Sequence, residues 1–143
     1  MKTNVLMFLV SISIVSCNYN ETYSNREQDK REAEKIIHKF YISIKGNNTE
    51  KASKLFSKKF FHITSRQRLN EMINWTNEKG GAISNYALSN WQTLIINGPN
   101  PKSDYSLVYY AKRDSINTQE IFSLQKENDT IKIVGYKINL DVK

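Results

Sequence analysis

The chain has 143 residues, a single cysteine and a formal net charge of +7. This length suits one folded domain with one hydrophobic core, and a single cysteine excludes an intramolecular disulfide. A basic chain is compatible with nucleic-acid binding, but its lysines are scattered along the sequence rather than grouped on one face. We therefore expect no nucleic-acid partner, and interpret the charge as a solvated lysine-rich surface or as attraction to anionic lipid surfaces.

The first residues have the layout of an export signal. Lys2 gives a positive start, residues 5–15 form an apolar run, and the small residue Ser16 precedes Cys17. The run is shorter than the ~20 apolar residues that a membrane-spanning helix needs. Its end, Ile-Val-Ser-Cys, resembles the bacterial lipobox, in which the cysteine sulfur receives a diacylglyceryl group before cleavage. Residues 1–16 are therefore predicted to be a lipoprotein signal peptide; an ordinary secretory leader with a chance cysteine is the alternative.

Cleavage before Cys17 would leave the protein in a bacterial cell envelope, held on the membrane by its N-terminal lipid. Asn18 differs from the aspartate associated with inner-membrane retention in some bacteria, which favours the outer membrane and its periplasmic side. Residues 17–25 are polar and are predicted to form the lipidated N-terminus and a flexible tether. Residues 26–143 are predicted to form a single domain.

A long first helix is predicted directly after the tether. Ser24 and Glu27 are spaced as in a capping box, with a side-chain acceptor followed three residues later by a carboxylate. Apolar residues then recur at helical spacing, and Gly46-Asn47 ends the helix. The residues expected to face the core are Ala33, Ile36, Ile37, Phe40, Tyr41 and Ile44.

Two further helices are predicted in the first half of the domain. The second is short and starts near Thr49, and the third runs from Thr64 or Ser65 to about Glu78. Between them, Lys59–Ile63 is predicted to be a brief strand or extended link, because its aromatic content favours a pleated backbone. Their expected core residues are Ala52, Leu55, Phe56, Leu69, Met72, Ile73 and Thr76.

From Ala82 onward the apolar period changes toward two, which predicts strands. The four predicted strands are Ile83–Ile96, Tyr105–Arg113, Thr118–Lys126 and Ile131–Leu140. Two-residue turns after the second and third strands would fix the register. The register then pairs Leu107 with Leu124, Tyr109 with Phe122, Leu124 with Ile133, Phe122 with Gly135 and Glu120 with Lys137. It predicts one strongly apolar face, covered by the helices, and a bulge or bend at Gly135.

This order of elements resembles the cystatin-like or nuclear transport factor 2-like α+β cone, in which N-terminal helices pack on one face of a curved four-stranded antiparallel sheet. The segment Ile131–Ile138 is similar to the last strand of small bacterial lipoproteins with that fold, and Tyr86–Trp91, Tyr105–Ala111 and Glu120–Leu124 are similar to their earlier strands. The resemblance implies ligand binding in the cone, dimerisation through the open sheet face, or isomerase, dehydratase or cyclase activity. Many such lipoproteins have no assigned activity, and the fold alone does not choose among these.

Four residues are candidates for lining a pocket inside the cone, namely His62, Trp75, Tyr109 and Glu120. A buried Glu120 has the chemistry of a general base. The predicted register also sets it opposite Lys137 and diagonal to Arg113, and we favour this cross-strand ion pair. No cofactor is expected. The two histidines, His38 and His62, lack a matched carboxylate spacing, so no metal site is expected either.

The second face of the sheet is predicted to be only half apolar. Tyr110, Ile121 and Tyr136 form its candidate interaction face, with a homodimer or another envelope protein as the partner. The leading hypothesis is a lipid-anchored binding or interaction domain without catalytic activity. The alternative is a small-molecule carrier, or an isomerase- or dehydratase-like enzyme, that uses the interior of the cone.

Overall fold

The computed structural model describes residues 19–140. Helices α1 to α4 span Glu27–Lys45, Thr49–Ser53, Lys58–Ile63 and Arg66–Gly80, and strands β1 to β5 span Glu21–Ser24, Ile83–Asn97, Lys102–Arg113, Thr118–Glu127 and Thr130–Leu140. The strands form one curled antiparallel sheet in the order β1-β2-β3-β4-β5. The predicted α+β class is confirmed. The predicted leader and Cys17 lie outside the described residues, within which no helix is both long and apolar enough to cross a membrane.

The sheet has five strands where the sequence predicted four. The additional strand, β1, lies within residues 17–25, which were assigned to the tether. It pairs with β2 from Glu21 opposite Asn97 to Ser24 opposite Leu94. Three of its four residues are exposed, so backbone hydrogen bonds at the sheet edge hold it in place, and these leave no apolar pattern in the sequence.

The start of α1 also differs from the prediction. Arg26 is the N-cap residue and has no side-chain capping bond, so the capping box was wrong. Instead, Asn25 makes two hydrogen bonds to Thr93 on β2. The Asn25 backbone N–H donates to the Thr93 carbonyl at 3.0 Å, and Asn25 Oδ1 accepts from the Thr93 N–H at 3.0 Å. Arg26 then pairs with Asp29 in the first turn at 2.7 Å.

Lys58–Ile63 forms α3, so the strand or extended link predicted for Lys59–Ile63 was wrong. The Ser57 hydroxyl accepts a hydrogen bond from the Phe60 N–H at 3.0 Å, which is an N-cap. This capping signal outweighs the β preference of the aromatic residues. Ser65 caps α4 in the same way, as predicted, by accepting from the Arg68 N–H at 3.1 Å.

The space between helices and sheet is filled by a core rich in aromatic rings. Phe40 on α1 packs edge-on against Phe122, with ring centroids 5.2 Å apart, and Tyr41 stacks on Tyr86 at 4.0 Å. Such pairs contribute about 0.5–1.5 kcal/mol each beyond the burial of their surface. Of the predicted α1 stripe, Ile36 is partly buried and the remaining residues are buried.

The register between β3 and β4 differs from the prediction by two residues. The observed pairs are Leu107–Phe122 and Tyr109–Glu120, in place of Leu107–Leu124 and Tyr109–Phe122. The strands are joined by residues 114–117 rather than by a two-residue turn, and within this loop Asn117 accepts the Arg113 N–H at 3.1 Å. A shift of two keeps every side chain on its predicted face.

The turn between β4 and β5 has the two residues predicted. Asn128 and Asp129 both have positive φ, 48° and 62°, as tight hairpins require. Leu124 therefore pairs with Ile133, which confirms the register at this end of the two strands.

A β-bulge then displaces the second half of β5. The next pair after Leu124–Ile133 is Ser123–Gly135, so Val134 is the extra residue. Beyond the bulge, side chains exchange faces relative to the prediction. Tyr136 pairs with Phe122 and stacks on its ring at 4.7 Å. Tyr136 therefore points to the core, and its predicted place on the outer face was wrong.

Candidate functional site

A polar cluster centred on Glu120 lies inside the core. The Glu120 side chain is fully buried, at 0% exposure. Oε1 accepts hydrogen bonds from Arg113 Nη2 at 2.9 Å and from the Thr118 hydroxyl at 2.8 Å. Oε2 accepts from the Tyr136 hydroxyl at 2.8 Å. We call Glu120, Arg113, Thr118 and Tyr136 the Glu120 cluster. Both carboxylate oxygens are therefore occupied by donors of the chain itself.

Arg113 connects this cluster to the end of α4. Its Nη1 donates to Asn77 Oδ1 at 2.9 Å and to the Gly81 carbonyl at 3.1 Å. Gly80 lies against the arginine side chain, since a Cβ at this position would stand 2.6 Å from Arg113 Cδ. A fork of five donors suits this role, because Arg113 bonds to helix, loop and carboxylate at once.

The ion pair predicted for Glu120 is present, and its partner is the predicted diagonal neighbour Arg113 rather than Lys137. Arg113 pairs with Glu120, and their side chains are 2% and 0% exposed. The predicted partner, Lys137, is exposed and lies opposite Ile121, because the bulge moves it to the other face. In the observed register Tyr109 lies opposite Glu120, so Arg113 is four residues further along β3, and its long side chain reaches back to the carboxylate.

The negative charge of the Glu120 carboxylate acts on two nearby tyrosines, Tyr41 and Tyr136. Burial, and then the negative charge of Glu120, raise the pKa of Tyr41 above its usual value of 10.0. The same causes raise the pKa of Tyr136. Both phenols therefore remain neutral across the physiological range, and the Tyr136 hydroxyl stays a hydrogen-bond donor.

A cavity of about 500 Å³ lies between α3, α4 and β5. It is lined by Phe60, Thr64, Arg68, Glu71, Met72, Trp75 and Tyr136. We call it the α3–α4–β5 cavity. The side chains from α4 recur every three or four residues, so they share one face of the helix. The Trp75 indole is 47% exposed at this site, and Arg68 and Glu71 form an ion pair there at 3.5 Å.

The four candidate pocket residues do not come together. Trp75 lines the α3–α4–β5 cavity, whereas Tyr109 is buried and lines a separate cavity of about 460 Å³ between α1 and β2–β3. His62 is exposed on α3 and does not line either cavity. Glu120 lies in the core within its own cluster.

Sequence reasoning missed the other members of the α3–α4–β5 cavity. Arg68, Met72 and Trp75 follow one another at helical spacing, and this signal was sufficient to place them together. Tyr136 was not recoverable in the same way, because its face depends on the bulge at Val134.

The candidate interaction face retains two of its three residues. Tyr110 and Ile121 lie half-buried on the outer face of the sheet, and Ile121 pairs with Val108 there. The Tyr110 hydroxyl accepts a hydrogen bond from Asn117 Nδ2 at 2.7 Å. This face is therefore apolar at its centre and polar around it.

Neither a protein-family model nor a curated protein matches the chain.

Proposed function

We propose that this protein is a lipid-anchored component of the bacterial cell envelope, on the outer membrane facing the periplasm, whose domain binds a partner or ligand without catalysing a reaction. The observation that carries the non-catalytic part is the state of Glu120. A general base needs an oxygen that can reach a substrate proton, and both oxygens of Glu120 accept internal hydrogen bonds. The export motif ending at Cys17 supports the lipid anchor.

The domain architecture supports a cystatin-like or nuclear transport factor 2-like cone as part of this proposal. Helices cover one face of a curled antiparallel sheet, as in that fold. The fifth strand, β1, extends the sheet at its edge and leaves the arrangement of β2 to β5 unchanged. Because such folds host many activities, the binding site rather than the fold must identify the ligand.

The α3–α4–β5 cavity is the proposed binding site. Its wall combines aromatic rings and a methionine with the Arg68–Glu71 pair at its rim. A ligand that covers the exposed half of the Trp75 indole removes on the order of 100 Å² of apolar surface from water, which contributes about 2–3 kcal/mol. Apolar walls with few polar groups are typical of small-molecule sites.

Two measurements test this proposal. Intact mass of the protein from a bacterial host should show a chain that begins at an acylated Cys17, and Cys17→Ser should abolish acylation. Binding of the fluorescent dye 1-anilinonaphthalene-8-sulfonate should weaken at least tenfold in Trp75→Ala, and should be unchanged in Tyr110→Ala on the outer face. Retention of Met1, or equal dye affinity in both variants, would contradict the respective half of the proposal.

The outer sheet face is the second candidate for partner binding, because Tyr110, Ile121 and Val108 form a half-exposed apolar centre. A homodimer or another envelope protein is the proposed partner. Ile121→Glu should disrupt such an association while Ser123→Glu, at a polar exposed position of the same strand, should affect it less. Sedimentation at increasing protein concentration distinguishes a dimer from a monomer, and a monomer throughout would remove the homodimer.

The alternative function is a small-molecule carrier or an isomerase- or dehydratase-like enzyme. The observation that favours it is the double role of Tyr136, which lines the cavity and whose hydroxyl donates a hydrogen bond to Glu120. A ligand that displaces the Tyr136 ring would gain access to the carboxylate. Glu120→Gln should then impair turnover or ligand affinity, whereas under the leading proposal it alters stability alone.

A further inference from the structure

The net positive charge of the chain is concentrated in one segment that contains no acidic residue. Residues 51–68 contain no aspartate or glutamate. Their basic residues are Lys51, Lys54, Lys58, Lys59, Arg66 and Arg68, and each of these is exposed. We call residues 51–68 the basic segment. It covers the end of α2, all of α3 and the start of α4.

Most of this charge is not neutralised by the fold. Lys54 pairs with Glu50 at 3.0 Å, and Arg68 pairs with Glu71 at 3.5 Å. Within residues 19–140, the other four cations have no carboxylate within salt-bridge distance. Lys59 donates to the Gln125 side-chain oxygen at 3.0 Å. These four residues, Lys51, Lys58, Lys59 and Arg66, therefore carry positive charge that no described carboxylate neutralises. Arg66 also donates to the Ser53 hydroxyl at 2.9 Å, and its guanidinium lies 4.4 Å from the centroid of the Phe61 ring.

An exposed isoleucine lies between Lys59 and Arg66 in the sequence of the basic segment. Ile63, the last residue of α3, is 89% exposed, against 50% for Ile42 and 47% for Trp75. Exposing such a side chain is unfavourable by about 2 kcal/mol relative to burying it. Apolar side chains surrounded by lysine and arginine are typical of surfaces that insert at the headgroup level of a bilayer.

Lys59 of the basic segment lies at the end of the sheet from which the N-terminus leaves. β1 begins at Glu21, opposite Asn97, where β2 turns toward β3. Lys59 reaches Gln125, close to the turn between β4 and β5 at the same end. The four residue-to-residue steps from Cys17 to Glu21 reach about 13 Å when extended. The sheet is about 19 Å wide from β1 to β5, so one flat membrane can meet both.

We propose that the basic segment docks the domain onto the anionic headgroups of the membrane that carries its lipid anchor, with Ile63 inserted among them. Lysine and arginine meet the lipid phosphates, and the isoleucine enters the headgroup boundary. The proposal rests on the proposed lipid anchor for its membrane. It does not depend on what the α3–α4–β5 cavity binds. Docking fixes the orientation of the domain, which a tether alone leaves free.

The test uses the chain from residue 17 with Cys17→Ser, which keeps every element of the described fold and carries no lipid. Cosedimentation with vesicles of phosphatidylcholine containing phosphatidylglycerol measures partitioning, and vesicles of phosphatidylcholine alone are the reference. Replacing Lys51, Lys58, Lys59 and Arg66 by glutamine should lower partitioning on the order of several-hundred-fold. Ile63→Ser should lower it by roughly tenfold or more.

The matched control lowers the net charge by the same amount elsewhere. It replaces Lys35, Lys39, Lys45 and Lys112, which are also exposed, by glutamine. The control should bind anionic vesicles within a few-fold of the parent, and thermal unfolding should show both variants folded. An equal loss in the two quadruple variants, equal binding to neutral vesicles, or no binding by the parent would overturn the proposal. Tighter binding of the basic segment to a DNA duplex than to the vesicles would also overturn it.

This outcome is separable from that of the anchor. The vesicle assay uses an unlipidated chain, so it reports on docking even if Cys17 proves not to be acylated. Intact mass reports on the anchor alone. An acylated protein whose domain ignores anionic vesicles would leave the proposed envelope function standing and remove only the docking.

Discussion

Removing the arginine of the buried pair is the sharpest test of how the core is held together. Arg113→Ala leaves the Glu120 carboxylate at 0% exposure without its only cationic partner in the cluster. Breaking a buried pair in this way costs about 3–5 kcal/mol. The same change deletes the bonds to Asn77 and Gly81, which hold the end of α4 on the sheet.

The loss is large against the total stability of such a domain, about 5–15 kcal/mol. With an unfolding entropy of roughly 2.1 cal/mol/K per residue, a domain of about 120 residues loses about 4 °C of Tm per kcal/mol. Arg113→Ala should therefore lower Tm by about 12–20 °C. Tyr136→Phe keeps the ring and removes one donor to a charged oxygen, so its cost should be only about 1.5–3 kcal/mol.

A double variant separates the value of the pair from the penalty of an unpaired charge. Arg113→Met with Glu120→Leu replaces both charges by apolar side chains of similar size, and such exchanges are often neutral or stabilising. We expect it to be more stable than Arg113→Ala by at least about 2 kcal/mol. Urea unfolding followed by circular dichroism gives the free energy of unfolding of each variant, and thermal unfolding gives the Tm. A loss below about 1 kcal/mol in Arg113→Ala, or a double variant as unstable as the single one, would refute the reasoning.

Three further outcomes follow from individual positions. Because burial raises the pKa of Tyr41, the native state keeps a phenol proton that the unfolded chain loses above pH 10. The free energy of unfolding should therefore fall above pH 10 by about 1.4 kcal/mol per pH unit for this residue. Tyr41→Phe should remove this slope from the stability curves measured by urea unfolding between pH 9 and 11. Gly80→Ala would place a Cβ 2.6 Å from Arg113 Cδ and 2.9 Å from the Ile116 carbonyl, so it should destabilise by about 1–3 kcal/mol in urea unfolding, and an unchanged midpoint would contradict this contact. Asp129 has a positive φ of 62° in the hairpin, a conformation that glycine adopts without strain. Asp129→Gly should therefore raise the calorimetric Tm by a few degrees, which corresponds to about 0.5–1 kcal/mol. A lowered Tm would show that the aspartate side chain is needed there.

The parts of the fold that sequence predicts well are those in which burial repeats with a regular period. Ala33, Ile37 and Phe40 are buried on one face of α1 as their spacing requires. The third predicted helix and the period-two strands were recovered for the same reason, and Ser65 marked the start of α4 with a cap that the structure contains. Period and caps are local properties, so one sequence is enough to detect them.

The failures arise where hydrogen bonds between distant residues decide the structure. β1 is polar and exposed, and only its pairing with β2 makes it a strand. The bulge at Val134 is next to Gly135, where a bulge or bend was predicted, but the apolar pattern did not show that it adds one residue to β5. A displacement of one residue reverses every later side chain. The candidate site was predicted least well, because Tyr136 and Lys137, the residue predicted to lie opposite Glu120, both follow that bulge.

The position of Tyr136 limits what the α3–α4–β5 cavity can bind. Tyr136 lines the cavity, and its hydroxyl donates to Glu120 Oε2 at 2.8 Å. A ligand that recruited the hydroxyl would leave a buried carboxylate without one of its donors, at a cost of about 1.5–3 kcal/mol. A ligand that packs on the ring face avoids this cost and also covers Trp75. The geometry therefore favours flat apolar ligands, with any anionic group directed toward Arg68 at the rim.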